Sequence, residues 1–277
     1  MPDTTHPDVL VVIVTFNQAA LIGDALDGVL AQDTPFPVRL LVHDDASTDG
    51  TREIVADYAA RHPNIEAILQ DENQFSQGKR INYELWPRYT ADYIAFLDGD
   101  DAWTDPGKLA SQITFMEANP GCALCQTASI YVDVDTGRRL RRVPHPRHRR
   151  EKSVLADFVP GNFVQTSAAV LRRSALPELP EEFQELPFGD WAIFALAARA
   201  GWVGYIDRDS VLYRVHAGNF WFGRTRADRL EKTRKVRDFL IRHIDEKDRA
   251  PWIAYRDTPL GRRLYRLRRR LEQMAGR

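Results

Sequence analysis

Three carboxylates lie within four residues at Asp98–Asp101 (DGDD), directly after the apolar run Tyr93–Leu97. Like charges this close repel one another, so the cluster lowers stability unless a cation lies beside it. Mg²⁺ and Mn²⁺ prefer carboxylate oxygens and share their coordination shell with a substrate phosphate. The alternative is an acidic turn that caps the next helix, but Asp105 already occupies that position. The cluster therefore predicts a divalent-cation site.

A second acidic pair, Asp44-Asp45, follows the apolar run Val38–His43. A carboxylate at the end of a strand can accept hydrogen bonds from a nucleobase or from ribose hydroxyls. Asp and Ser also favour turns that lead into a helix, and the pair taken alone fits that alternative as well. Its place beside the first acidic cluster favours the binding role.

Two further candidates lie in the second half of the chain. Asp190 opens a predicted helix, where it is either a partner of the helix dipole or a general base, and the local sequence alone favours the dipole. His216 ends the alternating run Tyr213–His216 and precedes a predicted turn. A lone histidine is more often structural than a ligand, but the end of a strand is a place where a metal ligand can lie.

The two cysteines, Cys122 and Cys125, have the spacing of a redox or zinc pair. On a predicted strand they point to opposite faces, and no second pair completes a zinc shell. We therefore expect two buried thiols, no disulfide framework and a reducing, cytoplasmic environment. The chain also lacks a Walker-type loop and a Gly-x-Gly-x-x-Gly motif, so a metal and side chains must hold any phosphate.

The composition is that of a globular protein. The 277 residues are 44% apolar and 28% charged, enough to form a core without disulfides. No window approaches the roughly 18 apolar residues of a membrane span. The polar start, Met1–Val9, is not expected to be a secretory signal.

The formal net charge of −1 conceals a strong asymmetry. Residues 1–137 carry 7 Lys+Arg and 22 Asp+Glu, a net charge of −15, whereas residues 138–277 carry 31 and 17, a net charge of +14. This pattern argues against a nucleic-acid binder, which would be basic throughout. An acidic half suits a bound cation, and a basic half suits a phosphate-bearing or anionic partner.

Strands and helices alternate in the first half, which predicts a parallel sheet covered by helices. Ligands of such sheets bind beyond the carboxyl ends of the strands, so the polar clusters at those ends should meet at one crevice. The predicted strands are Val9–Val14, Val38–His43, Ile65–Leu69 and Tyr93–Leu97. The predicted helices are Ala19–Gln32, Thr51–Arg61, Lys79–Arg88 and Pro106–Ala118.

The second half is less regular. Gly137–Arg150 holds seven arginines, two prolines and no acid, which predicts a mobile loop, and we place a domain boundary near Phe222. The predicted strands are Cys122–Val132, Val164–Leu171, Val203–Ile206 and Val211–Val215. The predicted helices are Trp191–Ala200, Arg224–His243 and Leu260–Met274.

Taken together and in this order, the motifs resemble those of family 2 glycosyltransferases with the GT-A fold. The similar stretches are Val11–Asn17 (VVIVTFN), Asp44–Thr51 (DDASTDGT), Asp98–Leu109 (DGDDAWTDPGKL), Phe188–Trp191 (FGDW) and Tyr213–His216 (YRVH). The third resembles a bacterial group that builds surface polysaccharides. The resemblance implies an α/β fold with a mostly parallel central sheet flanked by helices. It covers about residues 8–222, the implied catalytic domain, and leaves residues 223–277 as a helical C-terminal extension.

The resemblance also implies roles for individual residues. Asp190 would be the general base, and Asp98, Asp100 and His216 would bind Mn²⁺ or Mg²⁺. Lys79 and Arg80 would approach the diphosphate. The full set of implied nucleotide-sugar-binding residues is Thr15, Asn17, Asp44, Asp45, Lys79, Arg80 and Asp98.

The implied reaction is inverting, metal-dependent transfer of one sugar from a UDP-, GDP- or dTDP-linked donor to a hydroxyl of a glycan or lipid-linked acceptor, in bacterial polysaccharide biosynthesis. The Gln-x-x-Arg-Trp motif of processive synthases is absent, which favours single transfers. A sugar nucleotidyltransferase is the first alternative, but residues 15–24 lack the Lys or Arg that its triphosphate loop needs. A binding module without turnover is the second, and Asp190 together with the acidic cluster argues against it.

The C-terminal extension carries an apolar stripe at helical spacing, surrounded by arginines. Such a helix suits peripheral contact with an anionic membrane, on the inner face where lipid-linked acceptors are found. The alternative is that it packs on the protein's own core or on a second subunit in a homodimer. The stripe consists of Leu260, Leu264, Leu267, Leu271 and Met274.

Overall fold

A computed structural model describes residues 7–257 and, beyond them, residues 262, 263, 265 and 267. Within that part of the chain, ten strands form one mixed sheet with helices on both faces, which confirms the α/β class. The strands are β1 Val9–Thr15, β2 Val38–Asp44, β3 Ile65–Leu69, β4 Tyr93–Asp98, β5 Ala102–Trp103, β6 Cys122–Asp133, β7 Arg139–Val143, β8 Lys152–Ser153, β9 Ala169–Arg172 and β10 Trp202–Val215. The helices are α1 Ile22–Leu30, α2 Thr51–Arg61, α3 Ile81–Leu85, α4 Lys108–Ala118, α5 Asp190–Ala197, α6 Arg226–His243 and α7 Glu246–Asp257.

The first half of the sheet is parallel, as the alternation predicts. The strand order is β3-β2-β1-β4, and the register places Thr15 of β1 beside Asp44 of β2, and Val14 beside Asp98 of β4. The carboxyl ends of these strands therefore lie at one edge. The predicted convergence of the polar clusters at that edge is confirmed.

The second half of the sheet contains most of the antiparallel pairs. Strand β9 pairs antiparallel with both β4 and β6, and it joins the parallel half to the parallel pair β6 and β10. Strand β5 lies antiparallel on β10 at the far edge, while β7 pairs with β6 and β8 with β10. This half therefore depends on pairings between distant segments.

The prediction of a mobile loop over Gly137–Arg150 is wrong. Residues Arg139–Val143 form strand β7, and Pro146–His148 form a 3₁₀ turn. The segment has no acid of its own, but Arg142 finds Asp207 and Asp209 of β10 at 2.5 Å each. Partners supplied by a distant strand give this arginine-rich segment its order.

Other predicted elements need correction. Val164–Leu171 is a 3₁₀ turn followed by the short strand β9. The two strands predicted at Val203–Ile206 and Val211–Val215 are one strand, β10, because register shifts near the exposed Asp207–Asp209 stretch keep it paired with β6. The helix predicted at Lys79–Arg88 is α3 followed by a 3₁₀ turn, since Pro87 lacks the N–H that an α-helix needs.

Helices α6 and α7 pack on the core formed by the preceding elements. Phe239 of α6 and Trp252 of α7 are buried in the same apolar cluster as Trp191 of α5, and the two indole rings stack with centroids 6.1 Å apart. Most of the helix predicted at Leu260–Met274 lies outside the described residues. Of it, Tyr265 is buried and its hydroxyl donates to the Ala156 carbonyl, whereas Leu267 is exposed. None of the described helices is long and apolar enough to span a bilayer.

Candidate active site

The turns that follow β1 and β2 are joined to each other. Asn17 adopts a left-handed conformation with φ of 52°; its N–H donates to the Ser47 hydroxyl at 2.9 Å, and its side-chain oxygen accepts from the Thr48 N–H at 2.8 Å. The Thr15 hydroxyl donates to the Gln18 side-chain oxygen at 2.8 Å. Asn17 and Thr15 thus lie at the predicted crevice, where their side chains hold the turns.

Both carboxylates of the second acidic pair are satisfied within the chain. Asp44 is fully buried and accepts from the Ser47 N–H at 3.1 Å and from its hydroxyl at 2.5 Å. Asp45 accepts from the N–H groups of Gln74 and Phe75 at 2.7 and 3.0 Å. Asp44 therefore stabilises the turn after β2, as the turn alternative predicts. Asp45 holds the loop that connects β3 to α3.

Lys79 and Arg80 lie at the end of that loop. The Lys79 ammonium donates to the Gln74 side-chain oxygen, while Arg80 donates to the Leu186 carbonyl and has its guanidinium carbon 5.1 Å from the centroid of the Phe75 ring. Neither side chain lines the cavity that contains Asp98 and Asp190. The structure thus places these two cations with Asp45 rather than with the DGDD cluster.

Within the DGDD cluster, Asp101 has a structural role. It is fully buried, and its carboxylate accepts from the Ser167 hydroxyl at 2.5 Å and from the Arg214 N–H at 3.1 Å. Gly99 packs directly against the β1 turn, since a Cβ atom there would lie 2.7 Å from the Thr15 Cβ and 2.5 Å from the Gln18 oxygen. These contacts set the backbone position from which Asp98 and Asp100 project.

Asp100 and His216 meet, as the resemblance implies. One Asp100 carboxylate oxygen lies 2.9 Å from His216 Nε2 and accepts from the Asn219 amide at 3.0 Å. His216 Nδ1 accepts from the Gly218 N–H at 3.1 Å, so the ring proton belongs on Nε2 and points at Asp100. The hydrogen bond to Asp100 raises the pKa of His216.

The donor set at Asp100 and His216 fits a divalent cation that would replace the proton on His216 Nε2. A partly exposed carboxylate and an imidazole are ligands that Mn²⁺ accepts. Burial, with the charges of Asp100 and Asp190 adding to it, raises the pKa of Asp98 to about 7. Across residues 7–257 the structure gathers no group of three or more acidic, His or Cys side chains into a metal site, so the third ligand, Asp98, stays a prediction.

A cavity of about 630 Å³ contains both Asp98 and Asp190 in its lining. Asp190 begins α5, and its carboxylate accepts from the Asn162 side-chain amide at 2.8 Å. Burial raises the pKa of Asp190 above that of an ordinary aspartate. A carboxylate with a raised pKa that faces a cavity is suited to accept a proton from a bound hydroxyl.

Sequence reasoning missed Asn162 and the aromatic lining of this cavity. Tyr131 and Tyr213 stack with ring centroids 4.1 Å apart, and Phe188 and Trp221 lie 5.0 Å apart in an edge contact. Tyr213 was visible in the YRVH motif, but its partner on β6 had no local signal. The aromatic side chains make the cavity suitable for the apolar faces of a sugar ring.

The two cysteines are buried and free, and neither lines the cavity. Burial raises the pKa of the Cys122 thiol to about 11. They therefore behave as the small apolar residues that the sequence predicts.

The chain matches the model of a family described as glycosyl transferase family 2 over residues 10–179. An uncharacterized protein of Mycobacterium tuberculosis is 33% identical over 214 residues, which cover 76% of this chain and 60% of that relative. The chain thus spans about 60% of the length of these mycobacterial relatives.

Two solved structures share the fold. The S. aureus TarS segment 1–349 in complex with UDP-GlcNAc is 18% identical with a TM-score of 0.66, covering 90% of this chain and 71% of that one. The mannosyltransferase PcManGT from Pyrobaculum calidifontis, in complex with GDP-Man and Mn²⁺, is 20% identical with a TM-score of 0.60, covering 90% and 69%. At this identity the likeness establishes the architecture of the chain.

Proposed function

Because this chain belongs to glycosyl transferase family 2, we propose that it transfers one sugar from a nucleoside-diphosphate sugar to a hydroxyl of a glycan or lipid-linked acceptor. The observation that carries the proposal is the placement of Asp98 and Asp190 in one cavity. They come from opposite halves of the chain, one from the end of β4 and the other from the start of α5. A nucleotide-binding edge and a buried carboxylate base are the two parts that such a reaction requires.

In the proposed mechanism Asp190 accepts the proton of the acceptor hydroxyl while its oxygen attacks the anomeric carbon. The bond between that carbon and the diphosphate breaks in the same step, so the configuration inverts. Asn162 holds the Asp190 carboxylate in place through its 2.8 Å hydrogen bond. Mn²⁺ or Mg²⁺, when held by Asp100, His216 and Asp98, supplies positive charge that stabilises the leaving diphosphate.

We assign the donor to the edge formed by the carboxyl ends of β1, β2 and β4. The proposed nucleotide-sugar residues are Thr15, Asn17, Asp44, Asp45, Lys79, Arg80 and Asp98. Support comes from the contact between Asp45 and the loop at Gln74, which brings the two cations of that loop to the same edge. The complexes of TarS with UDP-GlcNAc and of PcManGT with GDP-Man and Mn²⁺ support a UDP or GDP donor and a divalent metal here, and a dTDP donor is the third option.

A thermal-shift screen tests the donor class. UDP-, GDP- and dTDP-sugars are added with and without Mn²⁺, and a ligand at 100 times its dissociation constant stabilises by about 2.7 kcal/mol. Asp100→Ala should abolish the metal-dependent part of the shift. If none of the three donor classes stabilises the protein, the proposal is wrong.

A product assay then separates the three activities. Transfer or hydrolysis releases a nucleoside diphosphate, a nucleotidyltransferase exchanges pyrophosphate, and a binding module gives no product. We expect release of nucleoside diphosphate that depends on acceptor and is lost in excess EDTA. Pyrophosphate exchange would instead support the nucleotidyltransferase.

We also propose that the enzyme works in bacterial polysaccharide biosynthesis, in the cytoplasm and peripherally on the inner membrane face. The motif Asp98–Leu109 supports the first point, and the free buried cysteines suit a reducing compartment. Residues 1–222 would be the catalytic domain and 223–277 the helical extension.

Leu267, 55% exposed, is available for a membrane or a second subunit. Co-sedimentation with anionic liposomes that salt weakens supports the membrane, and a dimer by ultracentrifugation supports the subunit.

A further inference from the structure

The cavity that contains Asp98 and Asp190 is lined by basic as well as acidic side chains. Arg141 of β7 and Arg147 of the 3₁₀ turn after it belong to its lining, and both are exposed. An anion cannot lie close to the two carboxylates without repulsion, whereas the arginines attract it. The lining therefore favours a ligand whose anionic group lies at the arginines and away from the carboxylates.

The other arginines of β7 and the turn after it have partners within the protein. Arg142 binds Asp207 and Asp209, and Arg150 binds Asp157. Arg139 also pairs with Asp209, at 3.4 Å, and Arg149 donates to two backbone carbonyls. These contacts hold the segment in place, and they give these four arginines partners within the protein.

Arg141 and Arg147 have no carboxylate partner within residues 7–257. The Arg141 guanidinium carbon lies 4.4 Å from the centroid of the Tyr131 ring, and Arg147 donates to His148 Nε2 at 2.8 Å. Both contacts orient the guanidinium without neutralising it. Two oriented, unneutralised guanidinium groups in one cavity are suited to bind a phosphate or carboxylate through paired N–H donors.

Three adjacent strands, β7, β6 and β10, carry Arg141 and the two stacked tyrosines. The register places Arg141 of β7 beside Tyr131 of β6, and Tyr131 beside Tyr213 of β10. Two strand spacings separate the outer members, about 10 Å between backbones. The guanidinium of Arg141 and the ring of Tyr213 therefore flank the Tyr131 ring, and Arg141 lies beside an aromatic pair that also lines the cavity.

We propose that Arg141 and Arg147 bind an anionic group, a phosphate or a carboxylate, carried by the acceptor. The acceptor sugar lies in the cavity with its hydroxyl toward Asp190 and its anionic group at the two arginines. This inference rests on the proposed function and names its acceptor class. The donor diphosphate belongs at Asp100 and His216, neither of which lines this cavity, so it does not compete for the arginines.

The test is a ligand-observed NMR titration without donor. The probes are glucose 1-phosphate, glucuronic acid and the neutral methyl glucoside. The variant R141Q/R147Q is compared with R138Q, which removes the same kind of charge from the same segment but lies outside the cavity lining. We expect the double variant to lose about tenfold in affinity for the anionic probes, to bind the neutral probe as before, and R138Q to match the wild type.

Several results would overturn the inference. These are a wild-type protein that binds all three probes alike or binds none, or an equal loss in R138Q and the double variant. The comparison between glucose 1-phosphate and glucuronic acid identifies which anion is preferred. Because the titration needs no donor and no turnover, a failed donor screen would refute the proposed function and leave this result standing. Unchanged melting temperatures show that the variants are folded.

Discussion

The acidic first half and the basic second half of this protein meet at one cavity, but their charged side chains differ in whether the protein supplies their partners. In the first half Asp44, Asp45 and Asp101 are satisfied by backbone and hydroxyl groups of the chain. In the second half Arg141 and Arg147 line the cavity, and no carboxylate of the described residues pairs with them. In the proposed assignment, internal hydrogen bonds hold the donor end, formed by the carboxyl ends of β1, β2 and β4. The acceptor end, the cavity of Asp190, Arg141 and Arg147, keeps its arginine charges for the ligand.

The two halves are also built from different strand pairings. Short turns after parallel strands position most of the donor end, so Thr15, Asn17, Asp98 and Asp100 lie one to three positions after an apolar run. The acceptor end is assembled from antiparallel β7, 3₁₀ turns and the start of α5. A substitution at the donor end should therefore disturb the fold, whereas one at the acceptor end should change activity with little effect on stability.

Asp190→Asn gives the largest expected effect. The amide is nearly isosteric but cannot take the acceptor proton, so transfer should fall by roughly 10²–10⁴-fold while donor binding is unchanged. Rates of nucleoside diphosphate release and donor thermal shifts check the two parts. A near wild-type rate would exclude the base role, and loss of donor binding would place Asp190 in the nucleotide site instead.

Asn162→Ala is the matched variant for that experiment. Burial raises the pKa of Asp190, and the hydrogen bond from Asn162 opposes the rise. Transfer needs the ionised carboxylate, so the rate should fall as pH drops through this raised pKa, and loss of Asn162 should move the fall to higher pH. An unchanged pH–rate profile would show that Asn162 does not act through Asp190.

Trp252→Ala tests whether the C-terminal extension is part of the acceptor half. Trp252 is buried against Trp191, the neighbour of the proposed base, so its truncation should lower the free energy of unfolding by about 3–5 kcal/mol. Denaturant unfolding measures this change. Ile253→Ala is the control on the same helix, because Ile253 is exposed and should change stability by less than about 0.5 kcal/mol. Equal effects would show that the extension does not stabilise the core.

The sequence predicted the parallel half well because its strands are continuous apolar runs bounded by turn residues. It failed where tertiary contacts decide. Arg142 pairs with two carboxylates of β10, which lie far from it in the sequence. The exposed, charged residues Asp207–Asp209 are typical of a turn, although the strand continues through them. Helix α7 was not predicted because it is charged and contains Pro251, and the burial of Trp252 supports it.

The same distinction applies to the residues of the candidate site, of which the sequence predicted some and missed others. Asp98, Asp100, Asp190 and His216 follow recognisable motifs, and the structure brings Asp100 to His216 and Asp98 to the cavity of Asp190. Asn162, Tyr131 and Arg141 stand in no motif. They reach the cavity through pairings between segments far apart in the chain, and one sequence contains no signal for such pairings.

Gly99→Ala should have a smaller effect, confined to the donor half. The added Cβ would lie 2.7 Å from the Thr15 Cβ, so the β1 turn or the DGDD turn must shift, at a cost of about 1–3 kcal/mol. Gly23→Ala in α1 is the control, since its nearest neighbour is the Tyr58 hydroxyl at 3.9 Å and alanine favours a helix. Denaturant unfolding and the donor thermal shift together check this prediction. Equal stability of the two variants would show that the close packing at Gly99 is unimportant.

The last expected effect is a slope of stability with pH at Lys108, a buried basic side chain in the acidic half. Its ammonium has a neutral partner, the Gln112 side-chain oxygen at 2.8 Å, and lies 4.0 Å from the centroid of the Trp103 ring. Burial lowers the pKa of Lys108 from 10.5 to about 7. Above about pH 7 the folded protein therefore holds a neutral amine while the unfolded chain still binds the proton.

Because the unfolded state binds more protons in this range, the free energy of unfolding should gain up to about 1.4 kcal/mol per pH unit from Lys108 as the pH rises from about 7 to 8.5. Lys108→Met removes that gain and also leaves the Gln112 oxygen without its donor, which costs about 1–3 kcal/mol at any pH. The diagnostic is therefore the slope of unfolding free energy against pH. Lys235→Met, a change on the exposed face of α6, should keep the wild-type slope. A Lys108→Met protein with that same slope would mean that Lys108 stays charged inside the acidic half, with the Trp103 ring as its counterpart.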